Sequence, residues 1–152
     1  MVFGIFLILQ SPSGRSSDEI YNRAIEQALW AEQLNFSRIW FAEHHFSNYS
    51  YSSHPLITLS HIAAKTKKIK LGTAIIPITL HHPLLIAEAC ATVDILSNGR
   101  LEVGLGKGYQ HYQYERLSIE KKNDFQEFNE RITIIINALM VTVLGSTSPL
   151  AH

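Results

Sequence analysis

Glu43-His44-His45-Phe46 places a carboxylate beside two imidazoles directly after the apolar run Arg38-Ile39-Trp40-Phe41. Histidine titrates near neutral pH, and burial tunes a carboxylate towards it. An acid–imidazole group where a buried strand gives way to a loop is therefore suited to proton transfer. The simpler alternative is that one histidine caps a turn while the other packs.

A second group with chemical potential is Gly104-Leu105-Gly106-Lys107-Gly108. Its G-x-G-x-G spacing differs from the dinucleotide fingerprint G-x-G-x-x-G, and no acidic residue follows at a second strand end about 20 positions on. As a glycine loop it lets backbone approach a phosphate or a ring. Tyr109, Tyr112 and Tyr114 come next, either lining a pocket or packing beneath the loop. The polar segment 47–53 is a surface loop or a lid.

Eight histidines raise the question of a metal. His44-His45 and His81-His82 are adjacent pairs, and neighbouring side chains on an extended chain point to opposite faces. His54 and His61 are two helical turns apart, and there is no Cys pair or His-x-x-x-His spacing. The pattern predicts no metal site and makes His82, before Pro83, a turn or cap residue.

The elements that must position these groups are legible. Val2–Leu9 is a continuous apolar run, as for a strand covered on both faces. Ser16 to Glu19 is a capping-box signature opening a helix to about Leu34, with Ile20, Ala24, Ala28 and Ala31 on one face. Ser37–Phe41 is the second strand. Pro55 opens a helix to about Thr66, since proline suits a first turn. Ile69–Ile76 is the third strand, where Gly72 suggests an irregularity and Pro77 a sharp exit. Pro83 opens a third helix stopped by Ser97-Asn98-Gly99. Arg100–Leu105 is the fourth strand, followed by a short helical stretch and a longer helix over about Asp124–Met140. Four strand–helix units at this spacing imply an α/β fold with a parallel sheet and right-handed crossovers. A small doubly wound sheet and the first half of an eight-fold barrel both satisfy the pattern.

Composition narrows the function classes. The 152 residues suit one domain with a real core, 46% are hydrophobic, 17% are charged, and the formal net charge is zero. A nucleic-acid partner recruited by charge is not expected. The basic run Lys65–Lys70 sits at a helix end and is expected as a solvated turn. Cys90 is the sole cysteine, excluding an internal disulfide. It falls in a helical apolar pattern with Ile86, Ala87 and Val93, as a packed thiol rather than a nucleophile. Val2–Leu9 lacks the basic leader and cleavage site of a signal peptide, and no run reaches the ~20 apolar residues of a membrane span. The chain is expected to be cytoplasmic.

Phe3-Gly4-Ile5-Phe6, Trp40 to Phe46, Leu71-Gly72-Thr73-Ala74, His82-Pro83 and Ser97-Asn98-Gly99-Arg100 through Tyr109 occur in the order and spacing of one family. Over roughly residues 2–140 the chain resembles the luciferase-like flavin-dependent monooxygenases. The resemblance implies a TIM-type (β/α)8 barrel of which this chain is the first four βα units, a half-barrel with parallel strands. It also implies reduced FMN as co-substrate, molecular oxygen as oxidant, a small organic substrate and a flavin reductase as partner. It makes His44 the catalytic acid or base, with Glu43 and His45 as neighbours. Around the flavin it implies Thr73, Ala74 and Ile75, with a cis peptide at Ala74-Ile75, and Gly106, Lys107 and Gly108, with Lys107 near the phosphate.

Departures from the family carry expectations too. Phe125 stands where members often carry an arginine against the phosphate, and Gly106 occupies the reactive cysteine position of luciferase, which argues against bioluminescence. Residues 141–152 do not resemble the family and are expected as a short extra strand or a frayed end, the ending a truncated or shifted reading frame would produce. The alternative to an enzyme is accordingly a truncated, inactive half-barrel. Its two unpaired sheet edges would make it a homo-oligomer.

Overall fold

The computed structural model describes residues 2–11, 14–121 and 125–145. Pro12, Ser13, Asp124 and residues 146–152 of the tail lie outside the described residues.

The chain alternates β1 (Gly4–Leu7), α1 (Ser17–Gln33), β2 (Arg38–Phe41), α2 (Pro55–Lys65), β3 (Lys70–Pro77), α3 (Pro83–Ser97) and β4 (Leu101–Gly106). Two helices close it, α4 (His111–Arg116) and α5 (Phe125–Gly145). Local chemistry sets the boundaries. Glu19 Oε2 accepts from the Ser16 backbone N–H at 3.3 Å, completing the predicted cap of α1. Pro55 and Pro83 each sit at a first helical turn. Asn98 ends α3 in the left-handed conformation at φ 59°, and the Gly99 N–H bonds back to Asp94 O.

The four strands form one parallel sheet in the order β1-β2-β3-β4. A doubly wound sheet reverses its order at a switch point, whereas a barrel adds each strand beside the last. The observed order therefore selects the barrel, and the chain forms its first four βα units. α1, α2 and α3 pack in sequence against the sheet, burying Ala24, Ala28, Leu59, Ile62, Ala87 and Cys90 against Ile39, Phe41, Leu71 and Ile76.

Three expectations need correction. β1 is not covered on both faces: Ile5 and Leu7 are half-buried while Gly4 and Phe6 are exposed. Only the helix side of the strand, with Ile5 and Leu7, packs on the core, while Phe6 points to the opposite face and lines a cavity there. The β3 irregularity is not at Gly72, which pairs in register with Trp40 and leaves room for that indole. It lies between Thr73 and Ile76, where the Ala74–Ile75 peptide is cis. Residues 141–145 are neither strand nor frayed but continue α5, because no helix stop precedes Gly145.

At the amino ends of the strands the fold is tied by buried charge. The Arg100 guanidinium donates to Ala63 O, Thr66 Oγ1, Ile69 O and Ser97 O at 2.6–3.2 Å. The turn after α2 is more than solvated, since Glu32 on α1 accepts from the amides of Lys67, Lys68 and Ile69. The opposite ends of the strands are left for chemistry.

Candidate active site

Segments leaving the carboxyl ends of all four strands enclose a cavity of about 280 Å³. Phe6 comes from β1 and Ile8 from just beyond it, Glu43 and His44 from the exit of β2, Ala74, Ile75 and Pro77 from β3, and Lys107 to Gln110 from the loop after β4. Active sites of parallel βα folds form on this rim.

His44 faces the cavity. Its backbone N–H donates to Ser52 O at 2.9 Å, and its ring stands edge-on to Tyr49 at 5.0 Å and 85°. Its Nδ1 is buried with no hydrogen-bond partner among the described residues. Burial lowers its pKa, the neighbouring His45 adds to this, and Glu43 opposes it. A neutral imidazole has one nitrogen that accepts a proton and one that donates, so a ring with an unused nitrogen keeps capacity for proton transfer.

Glu43 is a buried carboxylate, its side chain 2% exposed, with two partners on one oxygen. His45 Nε2 lies 2.9 Å and His81 Nε2 2.5 Å from Oε1. Burial pushes the Glu43 carboxyl up. The hydrogen bonds from His45 and His81, with their electrostatic attraction, outweigh it, leaving the group below the usual range. An ionised carboxylate only accepts, so both imidazoles donate from Nε2.

The predicted residues divide into a wall and its backing. Glu43, His44, Ala74, Ile75, Lys107 and Gly108 line the cavity. His45, Thr73 and Gly106 stand behind it. The His45 ring turns inward to Glu43, and Thr73 is fully buried with Oγ1 bridging to Gly104. Gly106 belongs to β4, where a Cβ would meet the Ile75 side chain at 2.8 Å. Its lack of a side chain serves the packing of β4 on β3 rather than the loop. Gly108, at φ 76°, is the glycine the turn itself requires. The Lys107 carbonyl accepts from Tyr114 at 2.8 Å and from Thr79, so Tyr114 packs under the loop while Tyr109 lines the cavity. Phe125 lies 4.8 Å beneath the Lys107 ammonium, a cation–π contact at the place expected for arginine.

His81 was missed. It looked like half of an adjacent pair, and nothing local reveals a partner 38 residues away. His81, His45 and Glu43 each offer a ligand atom within 4.8 Å of the others, a set drawn from two strand exits that neither adjacent pairs nor helical histidine spacing reveals. His82 does open α3 as its cap residue, though without a side-chain cap bond.

The cavity wall suits a flat, partly anionic aromatic group such as FMN. Ala42, Ile75 and Pro77 give it apolar surface, Lys107 a cation, and His44 an imidazole whose Nδ1 is buried behind that wall without a partner among the described residues.

Four consecutive parallel βα units with a cavity on their carboxyl rim define a piece of a (β/α)8-type barrel, and sequence comparison identifies the family. Residues 1–148 match the family described as luciferase-like monooxygenase, and the chain belongs to it. A protein of Sinorhizobium fredii, y4vJ, is 38% identical over 91% of this chain and 40% of its own length. The oxygenase component of the flavin-dependent trigonelline monooxygenase of Acinetobacter baylyi is 32% identical over 77% of this chain and 33% of its own. Among solved structures, monooxygenase RslO1 of Streptomyces bottropensis superposes with a TM-score of 0.83 at 28% identity, over 89% of this chain and 42% of that one. The chain thus spans about two fifths or less of the length of these curated relatives. No helix among the described residues is long and apolar enough to cross a membrane.

Proposed function

We propose that this chain forms the flavin-facing half of a monooxygenase that uses reduced FMN and O2 to oxidise a small organic substrate, with a separate flavin reductase supplying the reduced cofactor. The observation that carries the reading is the convergence of His44, the Ala74–Ile75 pair and Lys107-Gly108 on one cavity from three different strand ends. Membership of a family with flavin-dependent relatives supports it.

Bound reduced FMN supplies the electrons with which O2 is activated. Lys107 is the cation for the phosphate, a point charge without the fork of an arginine. Ala74 and Ile75 press apolar surface against the ring, and Gly108 lets backbone come close. His44 takes or returns a proton through its imidazole, held in place by Tyr49 and the Ser52 carbonyl. Glu43 and His45 support it. Anaerobic titration with reduced FMN tests the reading: saturable binding, weakened by Lys107→Ala, is expected, and no saturation at millimolar cofactor would overturn it.

A second reading, an inactive half-barrel that self-associates, is favoured by the outer edges of β1 and β4, unpaired among the described residues, with Phe3, Phe6 and Val103 exposed. Sedimentation should then give dimers or larger species that bind no flavin, and a well-folded monomer counts against it.

A further inference from the structure

We propose that His81 is a positioning residue of this site: by donating from Nε2 to Glu43 Oε1 it fixes, together with His45, the orientation of the buried carboxylate on the cavity wall. This deepens the function proposed above, on which its catalytic meaning rests.

The geometry is a relay across the half-barrel. Glu43 and His45 leave β2, whereas His81 follows the short 3-10 turn after β3, and the two donors meet on one oxygen at 2.9 and 2.5 Å. His81 is itself braced. Its carbonyl accepts from Arg131 Nη1 of α5 at 2.7 Å, and that guanidinium is held by Glu127 Oε1 at 2.9 Å from Nη2. A carboxylate with one donor swivels about its last torsion. With two donors from different elements it is restrained to one setting, and α5 passes its own rigidity to the second donor through Arg131.

A metal would use the same atoms differently. An ion with tetrahedral bonds of ~2.0–2.1 Å holds its ligand atoms about 3.3 Å apart. Contacts of 2.5 and 2.9 Å are hydrogen-bond distances, with the imidazole protons engaged by the carboxylate.

The charged and titratable groups around Glu43 are few enough to separate. His44 and His45 share its segment, and His54 at the start of α2 has its ring 5.8 Å from His45 and 6.3 Å from His81. Lys107 comes from the loop after β4, and Arg131 with Glu127 from α5.

The test is a carboxyl 13C NMR titration of Glu43 in the full chain without flavin, with 15N spectra of the His45 ring. Failure of flavin to bind leaves this measurement intact, so the two readings fail separately. His81→Ala should move the Glu43 midpoint upward and release His45 from a single Nε2–H tautomer. His81→Gln, which keeps an N–H donor, should restore most of the shift, and Arg131→Met should move it the same way by less. A folded His81→Ala chain with an unmoved midpoint overturns the proposal. If His81→Ala does not fold, Arg131→Met decides in its place, and an unmoved midpoint there is equally fatal. Saturable 1:1 zinc binding, lost in both Glu43→Gln and His81→Gln, would make the cluster a metal centre and also overturn it.

Discussion

Thr73 and Gly104 are bonded twice through one hydroxyl: Thr73 Oγ1 accepts the Gly104 N–H at 3.0 Å and donates to the Gly104 carbonyl at 3.1 Å. The bridge lies where the β3–β4 register shifts, between Thr73 and Ile76. A side chain thus stands in for ladder hydrogen bonds beside the candidate flavin wall.

Thr73→Val keeps the shape of the side chain and removes both bonds, leaving two backbone groups of Gly104 without them. A loss of about 2 kcal/mol is expected in urea unfolding, the usual cost of stranding partly buried polar groups. Thr73→Ser keeps the hydroxyl and should remain within about 1 kcal/mol of the parent on the same grounds. Equal losses in the two variants would assign the effect to packing.

The glycines of β4 predict a graded response. A Cβ at Gly104 would meet the Thr73 carbonyl oxygen at 2.3 Å, and backbone cannot retreat without breaking the sheet. At Gly106 it would meet the Ile75 side chain at 2.8 Å, which can turn aside. Gly104→Ala should therefore cost about 3 kcal/mol, and Gly106→Ala about 1 kcal/mol, by the overpacking rule. Because Ile75 lines the cavity, Gly106→Ala should still weaken reduced FMN binding. Denaturation midpoints and a cofactor titration separate the two effects.

Most of the fold is written locally, and most of the site is not. Pro55, Pro83, the Ser16–Glu19 box and Asn98-Gly99 act within a turn of themselves, so element starts and stops are visible in sequence. The edge position of β1 depends on which strands flank it, and an apolar run says only that a strand is possible. The donation of His81 to Glu43 spans the β2–α2–β3 unit, and no periodicity records it. Likewise the glycine triplet reads as one loop, yet Gly104 and Gly106 answer to atoms of β3 and only Gly108 to the turn. Ala74, Ile75 and Lys107 on the wall were visible through family resemblance, which carries long-range geometry that a single sequence cannot.

Cys90 gives a check on the buried face of α3. Burial, and the nearby Asp94 charge after it, push the thiol up to about 12. At neutral pH the thiolate fraction is negligible, and the thiolate is the reactive form. A disulfide reagent should label the native chain only through unfolding, and label it fully in denaturant. Rapid native labelling would mean that α3 packs more loosely than the core requires.

His44 carries the strongest functional prediction. In the assembled enzyme, His44→Ala should lower turnover by ~10²–10⁴-fold, the range for a positioned acid or base. Reduced FMN affinity should stay within about threefold, because the ring is one small part of a wall also built by Ile75 and Lys107. Equal losses of both would make the residue structural. The pH dependence has a definite sign. Burial, then His45, holds His44 below its ordinary value of 6.5, so the folded state binds fewer protons than the unfolded one between those limits. The stability its neutral ring contributes is complete above pH 6.5 and is lost as pH falls through the depressed folded value. The stability difference between parent and His44→Ala, followed by urea unfolding across that window, should shrink towards acid. A difference that grows there would mean the imidazole is held charged, with both ring nitrogens donors and none left to accept the proton on which transfer at this cavity depends.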